Sequence, residues 1–346
     1  PCDSLILARR LSGGPMLSFE FEYLDDGSGR YHQGDDNQRQ SHPLVVHALT
    51  IVVRVAFAPA VAPDTVGVMH AGIIINPVSG SRRMPVDQRV ACAREMLDEL
   101  GIIGTVEVTS DPGDAPALTR QFIDHGAKTI VAWGGDGTIN QVASVVAFQG
   151  PALGIVPGGS GNGLARELHI PWEPRQALRV ALTGRISWLD AGEMGGRLFF
   201  NVAGIGFDAQ LAAFFNERTT RGPVGYFTTT LRQFLRYEPQ RYEVRAQAFS
   251  LDQRAMLVVL ANTRQYGSNA LIAPLARPDD GLLELVVFPA FSPLVSLWHA
   301  RRLFSGTAHK VRGVTMHSVR AAEISSDTLD AFHVDGEVVP ASGMVS

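Results

Sequence analysis

Three glycine-rich loops constrain this chain more than any other feature, because each follows a strand-like run and precedes a helical pattern. They are Asn76-Pro77-Val78-Ser79-Gly80, Gly134-Gly135-Asp136-Gly137-Thr138 and Pro157-Gly158-Gly159-Ser160-Gly161-Asn162-Gly163. The runs that lead into them are Gly72–Asn76, Lys128–Trp133 and Ala152–Val156. Between the first two loops, Val86–Leu100 carries apolar residues at Val90, Ala93, Leu97 and Leu100, with Gly101 as the helix stop. Ile102–Val108 reads as a strand, and Asp114-Ala115-Pro116 predicts the cap of a helix ending near Gly126. A helix through Ile139, Val142 and Val146 follows the second loop. Such alternation predicts a parallel sheet with helices on its faces, whose ligand sits beyond the carboxyl ends of the strands. All three loops fall at that edge.

After about Arg197 the period changes. Leu198–Val202, Tyr242–Phe249, Ala255–Ala261, Leu282–Phe288, Glu323–Ser325 and Phe332–Val334 are short strand candidates separated by turns. Helical interruptions stand near Phe227–Tyr237 and Pro293–Phe304. The expected architecture is an N-terminal Rossmann-like three-layer α/β domain over residues 69–196. A mostly antiparallel β domain over 197–346 follows, its C-terminal segment returning to the cleft. Two domains also suit 346 residues at roughly 150 per domain.

Residues 1–68 do not share this rhythm and read as a poorly ordered leader outside the catalytic fold. Asp25–Ser41 is polar and aperiodic, whereas Leu44–Ala62 is apolar but contains His47 and Arg54. That run is marginal for a membrane span and misplaced for a signal peptide. Two cysteines, Cys2 and Cys92, exclude a disulfide framework and fit a cytoplasmic protein. A net charge of −4 argues against nucleic acid as a partner and leaves small-molecule chemistry open.

Glycine lets backbone approach a ligand closely, and a helix that starts just after the loop offers unpaired N–H groups to a phosphate. One such loop is a weak signal; three at one sheet edge point to a phosphate-rich ligand. No G-x-x-x-x-G-K-[ST] run occurs. Asp190 also lies too far beyond the third loop for a dinucleotide fingerprint. Asp136, a carboxylate among phosphate-binding glycines, suggests magnesium-assisted phosphoryl transfer, with a turn aspartate as the structural alternative.

These loops, together with Phe199–Asp208, Pro278-Asp279-Asp280-Gly281-Leu282 and Asp335-Gly336-Glu337, resemble the diacylglycerol kinase catalytic domain family. The likeness is greatest to its soluble bacterial lipid kinases, relatives of sphingosine kinases and more distantly of NAD kinases. It spans about Met69 to Val339. The resemblance implies an ATP-dependent kinase of a diacylglycerol-like or sphingoid hydroxyl. ATP would contact Asn76, Thr109, Gly134, Gly135, Asp136, Gly137, Thr138, Ile139, Asn140 and Ser160. Glu337 stands where the family has its proton acceptor, and Asp136 would orient phosphates or magnesium or itself act as base. A structural magnesium would be held by Asp280 and the carbonyls of Arg277 and Leu282.

Two departures qualify the likeness. Many members carry Asn-Asp in the third loop, whereas this chain has Asn162-Gly163, as in sphingosine-kinase-type loops. The first loop often continues with lysine, and here Arg82 and Arg83 follow Ser81. From the residues alone, Val334–Val338 reads as a hairpin turn and leaves Glu337 open as a catalytic group. Pro223–Tyr237 and Leu294–Phe304 combine aromatic residues with arginines. They suit either a peripheral membrane surface at the inner face or a helix packed on a sheet. A homodimer is left open. The competing functions are a kinase of a soluble substrate such as NAD, disfavoured by Val202 after Asn201, and a non-catalytic nucleotide- or lipid-binding regulator.

Overall fold

The computed structural model describes residues 44–57, 70–80, 84–207, 209–210, 237–247, 249–326 and 328–341. In the first half the elements run β1 (Leu44–Phe57), β2 (His70–Ile75), α1 (Val86–Leu100), β3 (Ile103–Val108), α2 (Asp114–Asp124), β4 (Thr129–Gly134), α3 (Asp136–Val146), β5 (Ala152–Pro157), α4 (Gly163–Glu167), α5 (Pro174–Thr183) and β6 (Arg185–Met194). The second half holds β7 (Arg197–Phe199), β8 (Val202–Gly206), β9 (Gln240–Ala246), β10 (Phe249–Ala261), β11 (Gln265–Gly267), β12 (Ala270–Leu271), β13 (Leu283–Pro289), α6 (Pro293–Phe304), β14 (Thr315–Val319), β15 (Ala321–Ser325), β16 (Ala331–Val334) and β17 (Glu337–Pro340).

Strands β3, β2, β4 and β5 lie side by side in that order, all parallel. The chain steps from β2 outward to β3, then returns past β2 to β4 and β5. The direction of winding therefore switches between β2 and β4, and a crevice opens there at the carboxyl edge. Right-handed crossovers then place α1 on one face and α2 and α3 on the other. The packing agrees: α1 meets α5, and α2 meets α3. Ile73, Ile74, Ile75, Ile130, Val131 and Ala132 are buried, and consecutive residues point to opposite faces, as a sheet covered on both sides requires.

Local signals account for most element ends. Helix α1 closes in a Schellman motif: Gly101 adopts φ +64°, its N–H donates to the Asp98 carbonyl at 3.1 Å, and Ile102 N–H donates to Leu97 O at 2.9 Å. Asp114 behaves differently from its expected capping role. Gly113 occupies the N-cap, while the Asp114 carboxylate accepts N–H groups of Ser110 and Asp111 and so ties the preceding turn.

The second half is a largely antiparallel sheet, with β10 paired to β8, β9 and β13. Its core joins Phe199, Ile205, Val258, Leu285 and Phe332. Strands β6 and β14 are additions to the expected set. The expected Leu198–Val202 strand is divided into β7 and β8 by Phe200 and Asn201, whose N–H groups turn to a side-chain partner described below. The Phe227–Tyr237 helix falls almost wholly outside the described residues.

One expectation is corrected. Leu44–Phe57, assigned to a leader outside the catalytic fold, is a strand within the sheet. It pairs antiparallel with β6 from Val46 opposite Met194 to Phe57 opposite Arg185, antiparallel with β15, and parallel with β5 over Arg54 and Val55. Its β-branched and apolar content suits this position, and partners distant in sequence, the nearest being Ala152 opposite Arg54, concealed it. Residues 1–43 and 58–69 lie outside the described residues.

Candidate functional site

The loops after β2, β4 and β5 meet backbone to backbone. A β-carbon on Gly80 would stand 2.9 Å from the Gly158 carbonyl oxygen, and one on Gly159 would stand 2.8 Å from Gly135 Cα. Gly158 N–H donates to Gly134 O at 2.7 Å. Side chains complete the junction across the crevice: Asn76 Nδ2 donates to Thr138 Oγ1 at 2.8 Å. Thr138 in turn fills the space that a side chain at position 134 would need.

Beneath the first loop lies a residue that sequence reasoning missed. Arg89 is buried on α1, and its guanidinium donates to the carbonyls of Asn76 and Ser79 (3.0 and 2.7 Å), Pro77 (3.1 Å) and Met84 (3.0 Å). Among the described residues its hydrogen-bond partners are all carbonyls, and burial lowers its pKa from the usual guanidinium value. A fixed positive charge thus underlies the loop, a favourable setting for an anion in front of it. The sole signal in the sequence is an arginine on the apolar face of a helix. Arg82 and Arg83 lie outside the described residues.

Asp136 opens α3 and reaches into the third loop. Its Oδ2 accepts Asn162 N–H at 2.7 Å, and its Oδ1 accepts Gly163 N–H at 2.8 Å. Both carboxylate oxygens therefore cap α4, and Asp136 joins the second loop to the third. Burial pushes its carboxyl above the ordinary carboxylate range, the two N–H groups oppose that shift, and the Asp335 charge adds to it. Asn162 adopts φ +48°, its side chain bonding back to Gly159 through N–H and carbonyl. Gly163 has no space for a side chain: a β-carbon there would collide with Asn201 Nδ2. The glycine that departs from the common Asn-Asp pair is thus matched by Asn201, which also accepts the Thr263 hydroxyl.

The C-terminal hairpin delivers Glu337. Val334 pairs with Glu337 across Asp335 (φ +48°) and Gly336 (φ +86°), a two-residue turn of the primed type, as expected. A β-carbon on Gly137 would collide with Glu337 Oε1, so the carboxylate lies against the first turn of α3. Asp335, which the sequence motif includes without a role of its own, anchors the turn. Its Oδ2 accepts from Asn140 Nδ2 (2.8 Å) and Phe200 N–H (2.9 Å). Its Oδ1 accepts from the N–H groups of Asn201 (2.9 Å) and Val202 (3.0 Å). Burial raises its pKa against the pull of these donors.

The remaining expected residues divide. Ser160 is exposed in the third loop, and Thr109 stands at the end of β3 with its N–H on the Ile75 carbonyl. The Ile139 side chain is in the core, so only its backbone can serve a ligand. Asn140 is committed to Asp335 and to the Leu198 carbonyl. Arg277, Asp280 and Leu282 lie apart, in the turn before β13. Gly281 N–H donates to Asp190 Oδ2 at 2.6 Å, and Asp190 N–H to Pro278 O at 2.7 Å, so the turn is tied to β6. Burial and then the charges of Asp280 and Asp279 raise the Asp190 pKa. Among the described residues no three His, Cys, Asp or Glu side chains converge as a metal cluster. One carboxylate with backbone carbonyls in an acidic setting is a hard-oxygen donor set that fits magnesium.

A crevice lined by glycine backbone, crossed by a carboxylate from a β-rich second half, defines a class of two-part kinases. Residues 70–194 match the family model for the diacylglycerol kinase catalytic domain, and residues 201–345 match that for the YegS C-terminal NAD kinase beta sandwich-like domain. Relatives named "Probable lipid kinase YegS-like" include one from Klebsiella pneumoniae (strain 342), 31% identical over 72% of this chain and 84% of its own. Another, from Citrobacter koseri, is 32% identical over 66% and 77%. A crystal structure of a diacylglycerol kinase from Bacillus anthracis str. Sterne superposes with a TM-score of 0.65 at 21% identity, covering 80% of this chain and 93% of that one. The chain belongs to the YegS-like lipid kinase family.

Proposed function

We propose that this chain transfers the γ-phosphoryl group of ATP to the hydroxyl of a diacylglycerol-like or sphingoid lipid. The observation that carries this reading is the Glu337 carboxylate seated against Gly137, where backbone N–H groups of the glycine loops and α3 begin. The phosphates lie across Gly134–Thr138 and Ser160, with Asn76 and Thr109 at the flank and the Arg89 charge beneath. The lipid oxygen forms its bond to the γ-phosphorus as the bond to the β–γ bridging oxygen breaks and ADP departs. The hydroxyl proton passes to Glu337. Asp136 positions the loops, its two oxygens being taken by Asn162 and Gly163 N–H groups. Asp280 with the carbonyls of Arg277 and Leu282 would hold magnesium, which supplies positive charge and rigidity to an acidic turn.

The acceptor is met at the inner face of a membrane; no helix among the described residues is long and apolar enough to cross one. A soluble dinucleotide acceptor is the weaker reading, because Asn201 is engaged with Thr263 and pressed against Gly163. The deciding experiment supplies labelled ATP and magnesium with diacylglycerol, sphingosine and NAD in parallel. Label in the lipid phase, lost in Glu337→Gln, supports the proposal; label in NAD alone refutes it.

A further inference from the structure

Between Glu284 and Glu323 the chain has no acidic residue, yet it carries Arg301, Arg302, Lys310, Arg312 and Arg320 in a protein of net charge −4. Helix α6 lies within this stretch. Trp298, Arg301 and Phe304 follow one another at three-residue steps, within about 120° of the helix surface, and all three are exposed, Trp298 at 58% and Phe304 at 64%. The Arg301 guanidinium stacks over the Trp298 ring at 3.3 Å. No salt bridge among the described residues engages Arg301, Arg302, Lys310 or Arg312.

We propose that this face of α6 docks on an anionic lipid bilayer. Trp298 and Phe304 enter the boundary between headgroups and acyl chains, while Arg301, Lys310 and Arg312 meet lipid phosphates. An aromatic residue paired with a cation suits that boundary, where one end is apolar and the other wet. The acid-free stretch complements a negative surface and would repel a second copy of itself. Position supports the same occupant. Helix α6 packs beside β12, and the β11–β12 ribbon reaches the third glycine loop, where Ser268 N–H donates to the Gly161 carbonyl at 3.4 Å. A bilayer under α6 therefore lies one ribbon away from the phosphate loops. The inference rests on the lipid-kinase reading for its purpose but not for its test.

The test pellets the full chain with phosphatidylcholine vesicles, with and without phosphatidylglycerol, at low and high salt. A parallel assay follows phosphorylation of a water-dispersible short-chain diacylglycerol. Binding to anionic vesicles should weaken about fivefold per basic residue neutralised, so Arg301→Glu should lose roughly 20-fold. Trp298→Ser/Phe304→Ser should lose about tenfold or more. Both variants should keep their activity on the short-chain lipid within twofold. Equal binding of wild type to neutral and anionic vesicles, or unchanged binding in Arg301→Glu, overturns the proposal. So does a variant that changes the sedimenting mass of the free protein without changing vesicle binding, since the face then serves another copy. Should the aromatic variant fail to fold, Arg301→Glu and the salt series decide. Absence of short-chain phosphorylation in wild type would count against the kinase reading alone.

Discussion

Glu337, on the last strand of the second half, rests its carboxylate against Gly137 in the first turn of α3. The two positions are far apart in sequence, and the absence of a side chain at one makes room for the carboxylate of the other. Gly137→Ala should therefore displace Glu337 and reduce kcat by roughly 10–100-fold, the scale of a misplacement near 1 Å. Nucleotide affinity should change less. Steady-state kinetics with varied ATP checks this, and an unchanged kcat would detach Glu337 from the chemistry.

Glu337→Gln keeps size and hydrogen-bonding reach but removes the proton acceptor. Turnover should fall by about 100-fold or more, with ATP affinity retained. Calorimetric titration of ATP beside the lipid assay separates the two quantities; loss of both together would assign Glu337 to nucleotide binding.

Asp136→Asn should act differently. It weakens the charge-assisted bonds to Asn162 and Gly163 N–H, at a cost of about 1–3 kcal/mol in stability. It also loosens the third loop, so ATP affinity and turnover fall together. A variant with wild-type affinity and reduced turnover would instead make Asp136 a direct participant.

Asp335 and Asp136 both have carboxyl pKa values raised chiefly by burial. The folded protein then holds these protons more firmly than the unfolded chain. Their contribution to stability is present below the ordinary carboxylate range and is lost as pH rises through the folded-state values. Urea denaturation across that window should show stability falling with pH, and Asp335→Asn should show a shallower fall. The same variant turns an NH2 toward backbone N–H donors and should cost about 1–3 kcal/mol at neutral pH. A pH slope identical to wild type would mean Asp335 does not titrate in that range.

Asp280→Ala should raise the magnesium concentration needed for half-maximal activity and lower thermal stability in magnesium, with ATP affinity close to wild type. Identical magnesium titrations for the two proteins would leave Asp280 as a turn residue, its Oδ1 serving only the Leu282 N–H.

The α/β half was largely readable because its signals are local. Gly101 ends α1 through its own φ, and the glycine loops announce themselves by composition. Glu337 was reachable only through its setting in Asp335-Gly336-Glu337, since a hairpin explains those residues equally well. The roles of Arg89, Asp335 and Asn201 were not legible. Each acts on groups that the fold brings from elsewhere: loop carbonyls, the Phe200–Val202 amides, and the space over Gly163. The strand Leu44–Phe57 failed for the same reason, because β6 and β15 define it and its own composition only permits it.

The contact of Gly159 with Gly135, and of Gly80 with Gly158, also bears on how mutations here can be repaired. Where a new side chain strikes another side chain, shortening that neighbour restores the fit. At Gly80 every struck atom is main chain, with nothing to shorten. At Gly159 the nearest atom on the facing loop, Gly135 Cα at 2.8 Å, is main chain too, the Asn162 side chain of its own loop following at 3.1 Å. A search for suppressors of Gly159→Ala should return few changes on the facing loop beyond reversion. By contrast, Gly163→Ala meets the Asn201 side chain and should be relieved by a smaller residue there. The two classes of glycine would thus separate in a genetic screen without any assay of chemistry.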